Sequence, residues 1–242
     1  MRIDRAEVYA VSIPYIKPFV NSWGTFPAGD HVILKLFADG LVGIGEAAVI
    51  QVDKSGEDQT AICNALTRRF GPALIGEDPF NIEGIMKKFD GLAATKYAFL
   101  YTKAAIDSAL YDLMGKATGR AACDLIGGPA LQVVRALGIA SPGEMAEAAL
   151  RLKEEGYRFL TVKVDGLDYR ADVARVKAVR EAVGEGFIMD VDPNQSYSAS
   201  ECIPVLRKME AFDIIGVEQP CPAWDYDGMA NVAAALDVSV AA

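Results

Sequence analysis

The sequence predicts an α/β protein in which an α+β domain precedes a domain of alternating strands and helices. Three observations support this fold class. Hydrophobic residues make up 52% of the 242 positions, enough for sizeable buried cores. The first ~55 residues carry a strong hairpin signal, and after Gly127-Gly128-Pro129 apolar strands recur at a regular interval. We therefore predict one domain over residues 1–128 and a second over residues 129–242.

The first domain begins with a predicted antiparallel sheet. Two apolar runs, Val32–Phe37 and Leu41–Glu46, flank the dipeptide Asp39-Gly40. Asp-Gly between two apolar runs is typical of a type I′ turn, because both central residues of that turn need positive φ. The pattern therefore predicts a β-hairpin.

The α part of the first domain follows between Glu57 and Gly128. Helical periodicity predicts two short helices, over Thr60–Phe70 and Asn81–Phe89, and a longer one over Lys96–Ala117. Gly119 is the expected stop signal of the longest helix.

The second domain alternates strands with helices. Markers in four successive strands (Lys163, Asp190, Gly216 and Val240) lie 27, 26 and 24 residues apart. The predicted strands are Val133–Ile139, Phe159–Val164, Phe187–Val191, Ile214–Val217 and Val238–Ala241. Capping boxes at Ser141–Glu144 and Ser198–Glu201 predict the starts of two intervening helices. This alternation is typical of βαβ units and a parallel sheet.

Periodicity alone leaves two architectures open, an open doubly wound sheet and a closed barrel of eight strands. No G-x-G-x-x-G follows a strand, which counts against a dinucleotide-binding sheet. A hydrolase is disfavoured in the same way, because G-x-S-x-G is absent. If the fold is a barrel, about five of its eight strands lie in this sequence, and we expect it to be incomplete at the C-terminal end.

Composition excludes several classes of partner. The chain has 33 acidic and 24 basic side chains and a net charge of −9, which disfavours nucleic acid or an anionic membrane as the main partner.

No apolar run approaches the ~20 residues that span a bilayer. Four scattered cysteines form no C-x-x-C motif, and the first residues do not resemble a signal peptide. We expect a cytoplasmic protein.

Charged groups follow three successive strands of the second domain. Lys163 ends one strand, Asp192 and Asn194 follow the next, and Glu218 ends the third. Functional groups of parallel β/α folds gather at these carboxyl ends. Two carboxylates and an amide oxygen suit Mg²⁺, and a lysine beside a cation can become a general base. Together they could remove a proton α to a carboxylate.

Five motifs together resemble the mandelate racemase and muconate lactonizing branch of the enolase superfamily. They occur in order along nearly the whole chain: Leu41–Ala47, Ala104–Leu113 with Gly115-Lys116, Leu125–Gly128, Val191–Gln195 and Val217–Pro220. The resemblance implies that residues 1–128 form a capping domain and that residues 129–242 form the first part of a TIM-like (β/α) barrel. It also implies a homo-oligomer with a small-molecule carboxylate as substrate.

The resemblance further implies roles for individual residues. Asp192 and Glu218 would be Mg²⁺ ligands, Asn194 would lie beside the metal, and Lys163 would be the acid/base residue. The activity implied is proton abstraction through an enediolate, in a racemase, epimerase, dehydratase or cycloisomerase. A third acidic ligand is expected beyond Ala242.

Three further positions are candidate substrate contacts. Thr161 stands where the family often has the first lysine of Lys-x-Lys, and its hydroxyl could bind a substrate carboxylate without adding charge. Asn21 and Trp23 lie, together with Tyr15, in a segment with several glycines and prolines, which we predict to be a loop covering the site. Because Thr161 replaces a lysine, a non-catalytic binding or assembly protein on the same scaffold is the alternative function.

Overall fold

The structure is a computed structural model that describes residues 1–21, 24–49, 57–95, 97–128, 138–140 and 145–242. The chain divides into two compact units. The first comprises Met1–Pro18 with Phe26–Gln132, and the second comprises Phe19–Thr25 with Val133–Ala242. Each unit contains its own hydrophobic core.

Most of a three-stranded sheet belongs to the first unit. Its strands are β1 (Ile3–Asn21), β2 (Gly24–Ala38) and β3 (Leu41–Val49), in the order β1-β2-β3. Strands β2 and β3 are antiparallel and joined at Asp39-Gly40, whose φ angles are 50° and 79°. The predicted hairpin is confirmed, with positive φ at both turn residues.

The predicted loop around residues 15–23 is wrong over most of its length. Tyr15 lies within β1, which continues as strand to Asn21. Pro14 and Pro18 are tolerated because β1 is the edge strand, where a missing backbone N–H need not interrupt a ladder. Trp23 lies outside the described residues, so its predicted role stays a prediction, as does that of Asn21.

Helices form the rest of the first unit. They are α1 (Gln59–Ala65), α2 (Gly71–Leu74), α3 (Ile82–Leu92), α4 (Leu100–Thr118) and α5 (Ala122–Leu125). The helix predicted over Thr60–Phe70 is in fact α1 followed by a π-helical turn over Leu66–Phe70. Gly119 ends α4 as predicted, with a left-handed φ of 66°. No helix among the described residues is long and apolar enough to cross a lipid bilayer.

Strand β3 packs directly on the backbone of α4. A Cβ atom added at Gly43 would lie 2.2 Å from the carbonyl oxygen of Ala109, and one at Gly45 would lie 1.8 Å from that of Ala105. The backbone N–H of Ile44 also donates to the Asp112 carboxylate, at 2.8 Å. Only glycine permits this close approach, so the Gly-Ile-Gly segment is required by packing.

The second unit alternates short strands with helices. Its described elements are β4 (Gly138–Ala140), α6 (Met145–Glu154), β5 (Phe159–Lys163), α7 (Tyr169–Val183), β6 (Ile188–Asp192), α8 (Ala199–Glu210), β7 (Gly216–Glu218), α9 (Tyr226–Ala235) and β8 (Ser239–Ala241). The strands are parallel and their order in the sheet follows the chain, β4-β5-β6-β7-β8. A doubly wound sheet reverses strand order at a switch point, and this sheet does not. The strand order is that of a barrel wall, and the doubly wound alternative is wrong.

One face of this sheet is apolar and is covered by the helices. Its buried residues are Leu160, Val162, Met189, Val191 and Val217. Helix α7 contributes Val176, Val179 and Val183 to the same core. The predicted capping box of Ser198 and Glu201 at the start of α8 is confirmed, whereas residues 141–144 lie outside the described part of the chain. With the apolar side chains directed at the helices, the polar ones must lie on the opposite face.

Arg180, on α7, links three segments of the second unit. Its side chain is 11% exposed. Its guanidinium donates hydrogen bonds of 2.8–2.9 Å to the carbonyl oxygens of Gly184, Phe187, Phe212 and Asp213. One side chain therefore satisfies carbonyl groups at the end of α7 and before strands β6 and β7.

We expect Arg180→Ala to lower the free energy of unfolding by about 2–4 kcal/mol, because hydrogen bonds from a charged donor are lost and partly buried carbonyls lose their partner. Urea unfolding followed by circular dichroism measures this. Lys177→Ala is the matched control, since Lys177 lies on the exposed side of the same helix in an exposed pair with Glu181 and should change stability by less than about 1 kcal/mol. Equal effects of the two substitutions would contradict the role of Arg180.

Candidate metal and acid–base site

Three of the predicted site residues lie side by side at the carboxyl ends of neighbouring strands. Lys163 on β5 is in register with Asp192 on β6. Val191 pairs with Val217, so Glu218, the next residue of β7, follows the same row. All three belong to the polar face of the sheet. The structure therefore brings together the two candidate metal ligands and the candidate base.

The Asp192 carboxylate is the centre of this group and is only 1% exposed. It forms an ion pair with the Lys163 ammonium, whose side chain is 14% exposed. It also accepts hydrogen bonds from the Asn194 backbone N–H at 2.7 Å and from the Asn194 Nδ2 at 3.0 Å. A carboxylate offers about four acceptor positions, so one position remains for a cation.

Glu218 differs from Asp192 in its environment. Its side chain is exposed, and it forms no hydrogen bond or ion pair with another described residue. An exposed carboxylate without a partner, beside a buried one, fits a hard cation that prefers oxygen ligands. Within the described residues no group of three or more His, Cys, Asp and Glu side chains is arranged around one point. The fit to Mg²⁺ therefore rests on two carboxylates.

A second polar pair lies two residues further back along the same strands. Thr161 is in register with Asp190 and is 2% exposed, and its hydroxyl makes no well-formed hydrogen bond to a described residue. Burial raises the pKa of Asp190. The nearby Thr161 hydroxyl partly opposes this shift, whereas the charges of Glu218 and Asp192 add to it. Three acidic side chains, Asp190, Asp192 and Glu218, therefore lie close enough on this face to influence one another, and a cation bound there would reduce their repulsion.

Asp190 is the acidic member of this second pair. Among the described residues it has no ion-pair partner, and its Oδ1 atom is buried without a hydrogen bond. The two-residue alternation of β6 places Asp190 on the same face as Asp192. The substrate contact predicted for Thr161 stays a prediction.

A buried acidic residue holds the turn that follows Lys163. The Asp172 carboxylate, fully buried on α7, accepts hydrogen bonds from the backbone N–H groups of Asp165 and Gly166 at 3.2 and 3.0 Å. It also accepts from the Tyr197 hydroxyl at 2.6 Å and pairs with Arg175 at 2.8 Å. Arg175 in turn pairs with Asp165 at 3.1 Å. This network was not predicted from the sequence, because an acidic residue in the first turn of a helix is common.

Tyr197→Phe tests the network at nearly constant volume. Burial, the hydrogen bond to Asp172 and nearby negative charge all raise the pKa of Tyr197 above its ordinary value of 10. We expect the substitution to lower the free energy of unfolding at pH 7 by about 1.5–3 kcal/mol, typical of a hydrogen bond to a charged group.

The pH dependence of this difference follows from linkage. Tyr197 stays neutral in the folded chain while an unfolded tyrosine ionises near pH 10, so its contribution is fully present below pH 10 and declines above it. The stability difference between wild type and Tyr197→Phe should shrink by about 1.4 kcal/mol per pH unit above 10. Urea unfolding at pH 7, 10 and 11 measures it, and a constant difference would contradict the buried, neutral phenol.

Comparison with protein families identifies both units. Residues 5–127 match the family model "Mandelate racemase / muconate lactonizing enzyme, N-terminal domain". Residues 144–242 match the model "Enolase C-terminal domain-like". A capping unit followed by strands in barrel order, with acidic and basic groups at the strand ends, is an enolase-type architecture. The chain belongs to the mandelate racemase/muconate lactonizing enzyme family of the enolase superfamily.

Individual relatives match along nearly the whole chain. N-succinyl-L-Arg/Lys racemase of Bacillus cereus is 36% identical over 98% of this chain, and hydrophobic dipeptide epimerase of Enterococcus faecalis is 34% identical over all of it. The crystal structure of the Enterococcus faecalis dipeptide epimerase, complexed with Mg and the dipeptide L-Leu-L-Tyr, aligns with a TM-score of 0.90 at 34% identity, covering 99% of this chain and 67% of that one.

The match covers only part of each relative. The chain spans 64% of the length of the racemase and 68% of that of the epimerase. The predicted family and fold class are confirmed, and because these relatives are named as enzymes, the comparisons give no support to the non-catalytic alternative.

Proposed function

We propose that this chain carries the Mg²⁺-binding and proton-abstracting part of an enzyme that removes the proton α to a carboxylate. The observation that supports this most directly is the row formed by Lys163, Asp192 and Glu218 on three adjacent strand ends. It combines two oxygen ligands with one amine, which is the combination that the reaction requires.

In this proposal Asp192 and Glu218 hold Mg²⁺, and Asn194 orients Asp192 through its two hydrogen bonds. A bound Mg²⁺ would stabilise the negative charge that develops on the substrate carboxylate as the proton leaves. Lys163 accepts that proton at its Nζ atom as the neutral amine, after its ammonium form has given up a proton to solvent. It is the one basic side chain in the row of described strand ends, so the chemistry that we assign to this chain is one-base proton removal.

We further propose that the substrate is derived from an amino acid. Relatives at 36% and 34% identity are named for N-succinyl-L-Arg/Lys and for hydrophobic dipeptides. Compounds of both kinds have a carboxylate whose α-carbon carries a hydrogen and is bonded to an amide nitrogen. Racemisation or epimerisation is the reaction that these names support. Homo-oligomerisation and a cytoplasmic location remain predictions from the sequence.

The test is isotope exchange, because exchange needs one base and no net conversion. We expect the protein with Mg²⁺ in D₂O to replace the α-proton of N-succinyl-L-lysine or of an L,L-dipeptide, read as loss of the α-proton signal in ¹H NMR. Exchange should stop when EDTA is added. Absence of exchange across both substrate types, in a folded protein that binds Mg²⁺, would contradict the proposal.

A further inference from the structure

The backbone that follows each candidate metal ligand adopts a left-handed conformation. Asn194 and Gln195, after Asp192, have φ angles of 49° and 68°, and Gln219, directly after Glu218, has a φ of 37°. Of the seven non-glycine residues with positive φ in the described chain, three lie in these two loops. Such conformations are costly and persist where surrounding contacts fix them.

Gln195 supplies contacts of this kind between the two loops. Its backbone N–H donates to the Gln219 carbonyl oxygen at 2.8 Å. Its side-chain Oε1 accepts from the Ala223 backbone N–H at 2.9 Å. Gln195, in the loop after β6, is therefore hydrogen-bonded to two residues of the loop after β7. The sheet pairing between β6 and β7 is short, so these bonds continue the connection beyond the strand ends.

The first of these bonds ends on the neighbour of Glu218, the residue whose position matters most for a shared cation. The Glu218 side chain is exposed and has no hydrogen-bond partner among the described residues, so its carboxylate is not held by its own contacts. Its backbone is held instead, because Gln219 is bonded to Gln195 on one side and its N–H donates to Ala241 on the other, at 2.8 Å.

We propose that Gln195 is a positioning residue that sets the separation of the Asp192 and Glu218 carboxylates for a divalent cation. The inference rests on the metal site of the proposed function and assigns to it a residue that is hydrogen-bonded to neither ligand side chain. Outer partners of this kind typically affect metal affinity by 10–100-fold, because ligands that are already in place need no ordering when the cation binds.

A matched pair of substitutions separates the hydrogen bond from the bulk of the side chain. Gln195→Met keeps the length and unbranched shape but removes the acceptor for Ala223. Gln195→Glu keeps an acceptor oxygen at the same position. Titration calorimetry with MgCl₂ on the full chain should show affinity roughly 10-fold weaker in Gln195→Met, and no weaker than wild type in Gln195→Glu.

Hydrogen exchange of the Ala223 amide shows whether the contact itself is lost. We expect faster exchange in Gln195→Met and wild-type exchange in Gln195→Glu, with thermal unfolding of the metal-free protein little changed in both. Faster exchange with unchanged Mg²⁺ affinity would overturn the positioning role and leave the proposed function standing. A wild-type protein that binds no Mg²⁺ would overturn both.

Discussion

Lys163→Ala should abolish exchange of the substrate α-proton, with a loss of at least ~10²-fold in rate, the lower range for removal of a positioned general base. The reason is that no other basic side chain lies in the row of described strand ends. The rate is measured by ¹H NMR in D₂O with saturating Mg²⁺.

Lys163→Arg separates the proton transfer from the ion pair. Arginine can still pair with Asp192, but it does not deprotonate in proteins and so cannot act as a base. We expect Arg to preserve the fold and to lose exchange as fully as Ala does. Lys177→Ala, on the exposed side of α7, should exchange at the wild-type rate. Substantial exchange in Lys163→Arg would show that another group takes the proton.

Asp192→Asn should weaken Mg²⁺ binding by more than the 10–100-fold expected for an outer partner, because it removes the charge of one of two carboxylates. The replacement has nearly the same shape, and its Oδ1 can still accept from the Asn194 backbone. Titration calorimetry with MgCl₂ measures the affinity, and far-UV circular dichroism confirms the fold.

Two controls make the Asp192 result specific. Glu181→Gln removes an acidic charge from an exposed position on α7 and should leave Mg²⁺ affinity unchanged. Asp190→Asn removes a charge behind the proposed site without removing a proposed ligand, so a smaller loss is expected. An affinity for Mg²⁺ in Asp192→Asn equal to that of wild type would exclude Asp192 as a ligand.

The candidate site could be located from sequence because the strands of the second unit are short and regular. Two-residue alternation places Lys163 and Asp192 on the polar face once the apolar partners Val162 and Val191 are recognised. Parallel strands then bring their carboxyl ends to one edge. The same local logic predicted the Asp39-Gly40 turn and the Ser198 capping box, because each depends on a few adjacent residues.

Features that depend on distant residues were not predicted. Asp172 looks like an ordinary helix-start acid until the fold places Tyr197 and the turn after β5 against it. The carbonyl partners of Arg180 come from loops up to 33 residues away. The left-handed backbone of Gln195 could not be predicted, because the residue is not a glycine, the usual sequence signal for positive φ. Tyr15 was assigned to a loop because prolines nearby suggested one, and only the position of β1 at the sheet edge explains why a strand forms there.

The contact between Gly43, Gly45 and helix α4 has a consequence for motion. At Gly45 the strand backbone lies directly against the backbone of Ala105 and Ala109, so no side chain at that point can change rotamer and absorb a displacement. Strand β3 and helix α4 should therefore fluctuate as one rigid body. A movement of the hairpin at Asp39-Gly40 would then move the helix as well. An alanine at position 45 would do more than add volume, since it would separate the two elements and give each its own freedom to move.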